Sequence, residues 1–116
     1  MEAQTPKIPL VFYRALSGRE PVREWLQELP VEDRRAVGLD LMRAQFRWPV
    51  GMPLCRPMGQ GLFEVRSTLP SGRIARVLIC QSGNALVALH GFIKKTQTTP
   101  KSDLDLGRQR MKEVLS

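Results

Sequence analysis

Leu62–Pro100 reads LFEVRSTLPSGRIARVLICQSGNALVALHGFIKKTQTTP, and this stretch decides the fold. Three apolar runs of strand length are separated by Pro70-Ser71-Gly72 and Ser82-Gly83-Asn84, turn residues that predict an antiparallel meander. The runs are rich in Val, Ile, Leu and Phe, side chains that suit a pleated surface. Set among them are the cations Arg66, Arg73, Arg76 and the pair Lys94-Lys95. Side chains alternate between the two faces of a strand. Glu64 and Arg66 therefore share one face of the first run, as do Ile74, Arg76, Leu78 and Cys80 of the second and His90, Phe92 and Lys94 of the third. The sequence leaves the register open. If the three faces coincide, the product is a small cationic patch on a rigid sheet.

C-terminal to this stretch, Ser102 is placed to cap a last helix. Asp103 and Asp105 fall in its first turn, and Arg108, Arg110 and Lys112 lie toward its end, an order that agrees with the helix dipole. Leu104, Met111 and Leu115 give it a narrow apolar stripe. On the N-terminal side, Arg47 to Gly61 holds three prolines and three glycines and reads as a long loop, of the kind that is often functional. Trp48 would pin that loop to the core or stack on a base. Val31 to about Phe46 predicts a helix with Val37, Leu41 and Ala44 on one face, weakened at Gly38. Before it, Pro21 suits the first position of a helix whose Val22, Trp25, Leu26 and Leu29 form one stripe. Pro30 ends one helix and opens the next. Ile8 to Tyr13 predicts a short strand whose Pro9 suits an edge or a strand start. Residues 1–7 read as a loose N-terminus.

The expected fold is α+β, in the order β-α-α-β-β-β-α, with a mainly antiparallel sheet of about four strands. A helical hairpin covers one face, a C-terminal helix follows, and the open face carries the cations. With 116 residues the chain has room for one domain, 1–116, and for a core that needs no disulfide staples. Cys55 and Cys80 form no CxxC pair, and one histidine rules out the usual Cys/His zinc spacing. No apolar run predicts a signal peptide or a transmembrane helix, so a cytoplasmic protein without membrane contact is expected. The net charge is +7, and most of it is C-terminal: residues 61–116 carry nine cations against four acids. Such a balance fits a polyanion, a membrane surface or an acidic protein partner, and equally a solvated basic surface.

The order of elements, with GLFEVRS, RIARVLI, LVALHGFIKKTQTTP and a DLDLGRQRMKE helix, resembles the RelE/ParE superfamily of bacterial toxins. It is most similar to the phage-derived, HigB-like branch, whose members read "lyElR", "yRi" and "lLhgFvKKtqktP" before an "A-x-x-R" helix. The likeness runs from about Pro9 to Val114, and its most specific part is His90 to Pro100. Two positions depart from it: Ala75 stands where an aromatic commonly precedes the strand arginine, and Gly107 where the last helix usually has Ala. The first departure bears on stacking or acid–base chemistry there, the second on helix strength. The resemblance implies a toxin of a type II toxin–antitoxin pair, an endoribonuclease (mRNA interferase) cutting mRNA on the ribosome. Its implied partners are a cognate antitoxin of helix-turn-helix type and, through that complex alone, operator DNA.

Cleavage without a metal or other cofactor needs groups that orient the 2′-OH, stabilise charge on phosphorus and move two protons. Preorganised cations supply the electrostatic part. Arg66 and Arg76 are the candidate phosphate and transition-state ligands, because a guanidinium grips phosphate through a planar fork. Lys94 is the candidate for proton transfer or charge stabilisation, with Lys95 beside it on the opposite strand face. Arg73, Arg108 and Arg110 are further RNA contacts. His90 is either a general base or acid or a satisfied, partly buried strand histidine. For Arg66 and Arg76 the structural alternative is an ion pair with Glu64 or a neighbour, and Glu64 is expected to hold an arginine in place. The competing functions are a ParE-like gyrase inhibitor, a catalytically silent RNA- or ribosome-binding module, and an inactive relic.

Overall fold

The computed structural model describes residues 8–116; the expected loose N-terminus, residues 1–7, lies outside them. Its elements are β1 (Leu10–Phe12), α1 (Pro21–Glu28), α2 (Val31–Arg47), β2 (Cys55–Gly59), β3 (Leu62–Thr68), β4 (Ile74–Ser82), β5 (Ala85–Ile93) and α3 (Lys101–Leu115). The strands form one mixed sheet in the order β1-β5-β4-β3-β2. β1 runs parallel to β5 and every other pairing is antiparallel. The α+β class and the meander are as expected from the sequence. The sheet has five strands instead of about four, because Cys55–Gly59, inside the expected loop, pairs with β3. Pro57 hid this strand from the sequence reading, yet β2 lies at the sheet edge, where a residue without an N–H is tolerated.

α1 begins at Pro21 and buries Val22 and Leu26; α2 follows across Pro30 and buries Val37, Leu41 and Ala44. These side chains pack with Val65, Ala75, Val77, Ile79, Leu86 and Ala88 on one sheet face. The opposite face is not open throughout. There Leu62, Leu78, Cys80, Val87 and Leu89 form a second core with Met111 of α3. The cations thus share their face with a helix that covers one end of it. α3 starts a residue earlier than the expected cap: Pro100 is its N-cap and Ser102 lies within the first turn. Gly107 lets α3 come close, since a Cβ there would overlap the Leu78 side chain. Trp48 is buried. Its indole N–H donates to Gln81 Oε1 at 2.9 Å and its ring meets Phe63 edge-on, so it pins the chain after α2 to the core. Cys55 and Cys80 are free, and burial pushes both thiols up to about 11.

Candidate functional site

Register decides whether the strand cations meet, and they do. Arg66 of β3 lies opposite Arg76 of β4, which lies opposite Phe92 of β5; the neighbouring row is Glu64, Leu78 and His90. A bulge in β5 makes this possible. Cys80 pairs with Val87 and Ile79 with Ala88, but Leu78 pairs with His90, leaving Leu89 as the extra residue. The extra residue switches parity along the strand. Val87 and Leu89 face α3 before it, and His90 and Phe92 join the same face after it. Without the bulge, Gly91 and Ile93 would face the cations. The carbonyl of Leu89 accepts a 2.8 Å hydrogen bond from Arg110 of α3, which holds the bulge in place.

Arg76 lies beneath this face, not on it: it is 3% exposed, and its partner Glu64 is 2% exposed. Arg76 Nε stands 3.4 Å from Glu64 Oε1 without hydrogen-bond geometry. The rest of the guanidinium is held by the segment 94–100, which crosses over it as a strap. Arg76 Nη1 donates to Thr99 Oγ1 at 3.1 Å and Nη2 to the Gln97 carbonyl at 3.3 Å. Thr99 in turn donates its hydroxyl proton to Glu64 Oε2 at 2.6 Å. One hydroxyl therefore joins both halves of a buried ion pair. Sequence reasoning paired Glu64 with an arginine but missed Thr99; its signal was the closing Thr-Pro of the quoted stretch, where Thr99 makes the bridge and Pro100 caps α3.

Of the expected site cations, Arg66 and Lys95 are exposed and Lys94 is half-buried, none with an ion-pair partner among the described residues. The Lys94 N–H donates to the Ile74 carbonyl at 2.7 Å, extending the ladder one residue beyond β5. Desolvation lowers the Lys94 pKa below the ordinary lysine value, repulsion from Arg66 and Arg76 adds to this, and Glu64 opposes it. Lys94 and Lys95, with Gly72, Ile74 and Gln97, line a depression of about 360 Å3.

The remaining site candidates have internal partners. His90 is partly buried, lies over Phe92 with ring centroids 5.5 Å apart, and makes a 2.6 Å hydrogen bond from Nε2 to Asp103 Oδ1. A carboxylate only accepts, so Nε2 carries the proton and Nδ1 remains for other work. Asp103 was read from the sequence only as a dipole partner. Arg73 pairs at 3.1 Å with Asp33, which is 2% exposed at the start of α2, and so ties the β3–β4 turn to the helical hairpin. Burial pushes the Asp33 carboxyl up, but hydrogen bonds from Ser71 and the Arg73 guanidinium outweigh it and hold the pKa below the usual carboxylate value. Arg108 donates to the Met58 and Gly59 carbonyls, tying α3 to the β2–β3 turn. Arg110, besides its bond to Leu89, lies 5.1 Å over the Tyr13 ring.

Ala75 is buried against the helical hairpin, on the face away from the cations. The missing aromatic thus alters the packing against α2 and leaves the cationic face as it is. Among the described residues no group of three or more His, Cys, Asp and Glu is arranged to hold a metal ion, and no helix is long and apolar enough to cross a membrane.

The sequence profile of the family described as Phage derived protein Gp49-like matches residues 24–112, and the chain belongs to that family. The matched span contains the whole cationic face, the strap and most of α3. No curated protein matches the chain.

Proposed function

We propose that this Gp49-like protein is the toxin of a type II toxin–antitoxin pair, close to the HigB-like branch, and a metal-independent endoribonuclease that cuts mRNA on the ribosome. The observation that carries the reading is the convergence of Arg66 and Lys94 on one side of the sheet over the buried Arg76, with the Lys94 pKa lowered by desolvation and by these two neighbours. In the reaction the 2′-oxygen attacks the adjacent phosphorus and loses its proton, while the 5′-oxygen leaves and gains one. Arg66 binds the phosphate from solvent. Arg76 acts from beneath: it adds positive potential to the site and anchors the strap that carries Lys94 and Lys95. Lys94 stabilises charge on the phosphorane-like transition state or moves a proton, and its lowered pKa suits the second role. His90, fixed by Asp103, offers Nδ1 as the second proton-transfer group. Lys95 holds the RNA strand beside the site. Arg73, Arg108 and Arg110 hold turns and the bulge in place. The surface cations fit an acidic antitoxin, proposed here to be of helix-turn-helix type, and operator DNA is reached only through that complex. We also place the whole chain in one toxin domain that works in the cytoplasm.

The burial of Arg76 favours a second reading, a silent RNA- or ribosome-binding module, because this candidate phosphate ligand is 3% exposed and its guanidinium is already engaged by Thr99 and Gln97. Induced expression of wild type, Lys94→Ala and Arg66→Ala in a bacterial host, with growth and RNA 5′ ends followed together, separates the two. Growth arrest with new codon-phased mRNA ends, lost in both variants, is the expected result. Arrest with intact mRNA would refute the nuclease; inhibited supercoiling would then point to gyrase.

A further inference from the structure

A further hollow lies away from the Lys94 depression. It is a cleft of about 840 Å3 between the C-terminal half of α2 and the segment 50–54, within the ~300–1,000 Å3 of ordinary ligand clefts. Arg43, Arg47 and Arg66 line it, with Asp40, and Val50, Met52, Pro53 and Leu54 form its apolar wall. Three guanidiniums come from two elements far apart in sequence. Arg43 is offset by Asp40 at 2.8 Å, while Arg47 and Arg66 have no acidic partner among the described residues. The cleft exists because β3 outlasts β2: Cys55 pairs with Val65, and beyond it the Arg66 N–H reaches only the Leu54 carbonyl. Arg66 and Thr68 are left to line the hollow at the sheet edge. Arg47 in the last turn of α2 complements the helix dipole, which accounts for its helix position but not for its meeting Arg66.

We infer that this cleft binds a stretch of single-stranded RNA next to the cleaved bond, with Arg43 and Arg47 on successive phosphates and the apolar wall against ribose and base. The inference rests on the nuclease reading for its choice of RNA. Arg66 joins the two regions: it lines the cleft, and it shares a cross-strand row with Arg76 and repels Lys94 on the cationic face. A strand held at Arg66 can therefore continue into the cleft toward Arg47 and Arg43, past the single acidic residue of its lining, Asp40. A folded acidic protein would find no such continuity, since the cleft is concave and turns around the edge of the sheet. Arg43 and Arg47 are positioning residues, because they act on the bound strand and not on the reacting atoms.

The test is fluorescence anisotropy with a labelled 2′-O-methyl RNA oligomer, which cannot be cut, across a salt series. Arg43→Ala/Arg47→Ala is expected to bind about tenfold more weakly, and the slope of log K against log salt should shrink by about 0.7 for each lost phosphate contact. Arg47→Lys should recover most of the slope. Lys112→Ala, an exposed charge on α3, should change neither by a comparable amount. Unchanged affinity and slope in the double variant, or no binding by wild type, would overturn the inference. So would competition by a poly-glutamate peptide as effective as that by RNA, which would reassign the cleft to an acidic protein. If wild type binds this oligomer through Arg43 and Arg47 yet its expression in a bacterial host leaves translated mRNA intact, the nuclease reading fails and the cleft assignment stands.

Discussion

Arg76→Ala is the substitution most readily chosen to inactivate a nuclease, and here it is expected to act first on stability. Arg76 and Glu64 are 3% and 2% exposed, so removing the cation leaves a buried carboxylate held only by the Thr99 hydroxyl. Breaking one side of a buried ion pair costs about 3–5 kcal/mol. The Gln97 carbonyl and Thr99 also lose their donor, which loosens the strap. Against a typical total stability of about 5–15 kcal/mol this is a large fraction. At roughly 4 °C per kcal/mol for a chain of this size, the midpoint of thermal unfolding should fall by about 12–20 °C. Thermal unfolding followed by far-UV circular dichroism measures the shift, and urea unfolding, with Trp25 and Trp48 fluorescence as a second probe, measures the free-energy cost. Arg76→Met/Glu64→Leu removes both charges at similar volume and should regain most of the loss, because two apolar groups leave nothing unpaired. A cost below about 1 kcal/mol for Arg76→Ala, or a double variant whose cost is the sum of the two single ones, would refute the buried lock. Loss of activity in Arg76→Ala alone therefore says little about chemistry, which is why Arg66 and Lys94 are the better probes.

Two glycines in helices should respond oppositely to alanine. Gly38→Ala, where a Cβ meets nothing, should stabilise by up to about 1 kcal/mol, whereas Gly107→Ala should destabilise by about 1–3 kcal/mol through overlap with Leu78, both read from urea midpoints. Lys94 should acylate faster than Lys112 in competitive labelling at pH 8–9 read by mass spectrometry, because a lowered pKa leaves more free amine; equal rates would contradict it. The sign for stability follows: between the lowered folded pKa and the ordinary value near 10.4 the unfolded chain binds more protons, so Lys94 makes stability rise with pH there, and Lys94→Met should flatten that rise. Asp33 has a lowered folded pKa, so its contribution is present above the ordinary carboxylate value near 3.9 and is lost as pH falls through the folded one. Asp33→Asn should therefore lower stability at pH 7 and shrink the acid-unfolding slope below about pH 4.

The helices and the central strands were legible because each carries its own period and punctuation. Pro21 and Pro30 mark helix starts, the stripe Val22, Leu26, Val37 and Leu41 is the buried one, and the Ser-Gly and Gly-Asn breaks fall at turns. β2 was not legible. Its CRPMG has no alternation, and only pairing with Val65, Glu64 and Phe63 makes it a strand. Nor did the sequence indicate that α3 would cover part of the second face, since its stripe of Leu104, Met111 and Leu115 is too narrow to announce a partner. In the structure Met111 is buried, Leu104 is partly covered and Leu115 is exposed.

The site shows what alternation can and cannot reveal. Counting in twos grouped Glu64 with Arg66 and His90 with Lys94 correctly within each strand, because pleating is local. It could not say which strand faces meet, and in β5 the bulge at Leu89 reverses the count halfway along. Burial is the other quantity that a one-dimensional reading lacks. Arg66 and Arg76 look alike in sequence and lie directly opposite each other, yet one faces solvent and the other is enclosed by Glu64, Gln97 and Thr99. The difference arises because the strap leaves β5 at Lys94 and crosses β4 before α3 begins at Lys101. A single excursion thus buries one arginine and sets two lysines beside the other. If the strap serves chemistry by placing Lys94, then Thr99→Val, which keeps shape and removes both hydrogen bonds, should reduce cleavage more than it reduces RNA affinity. An equal loss in both would mean that the strap only binds.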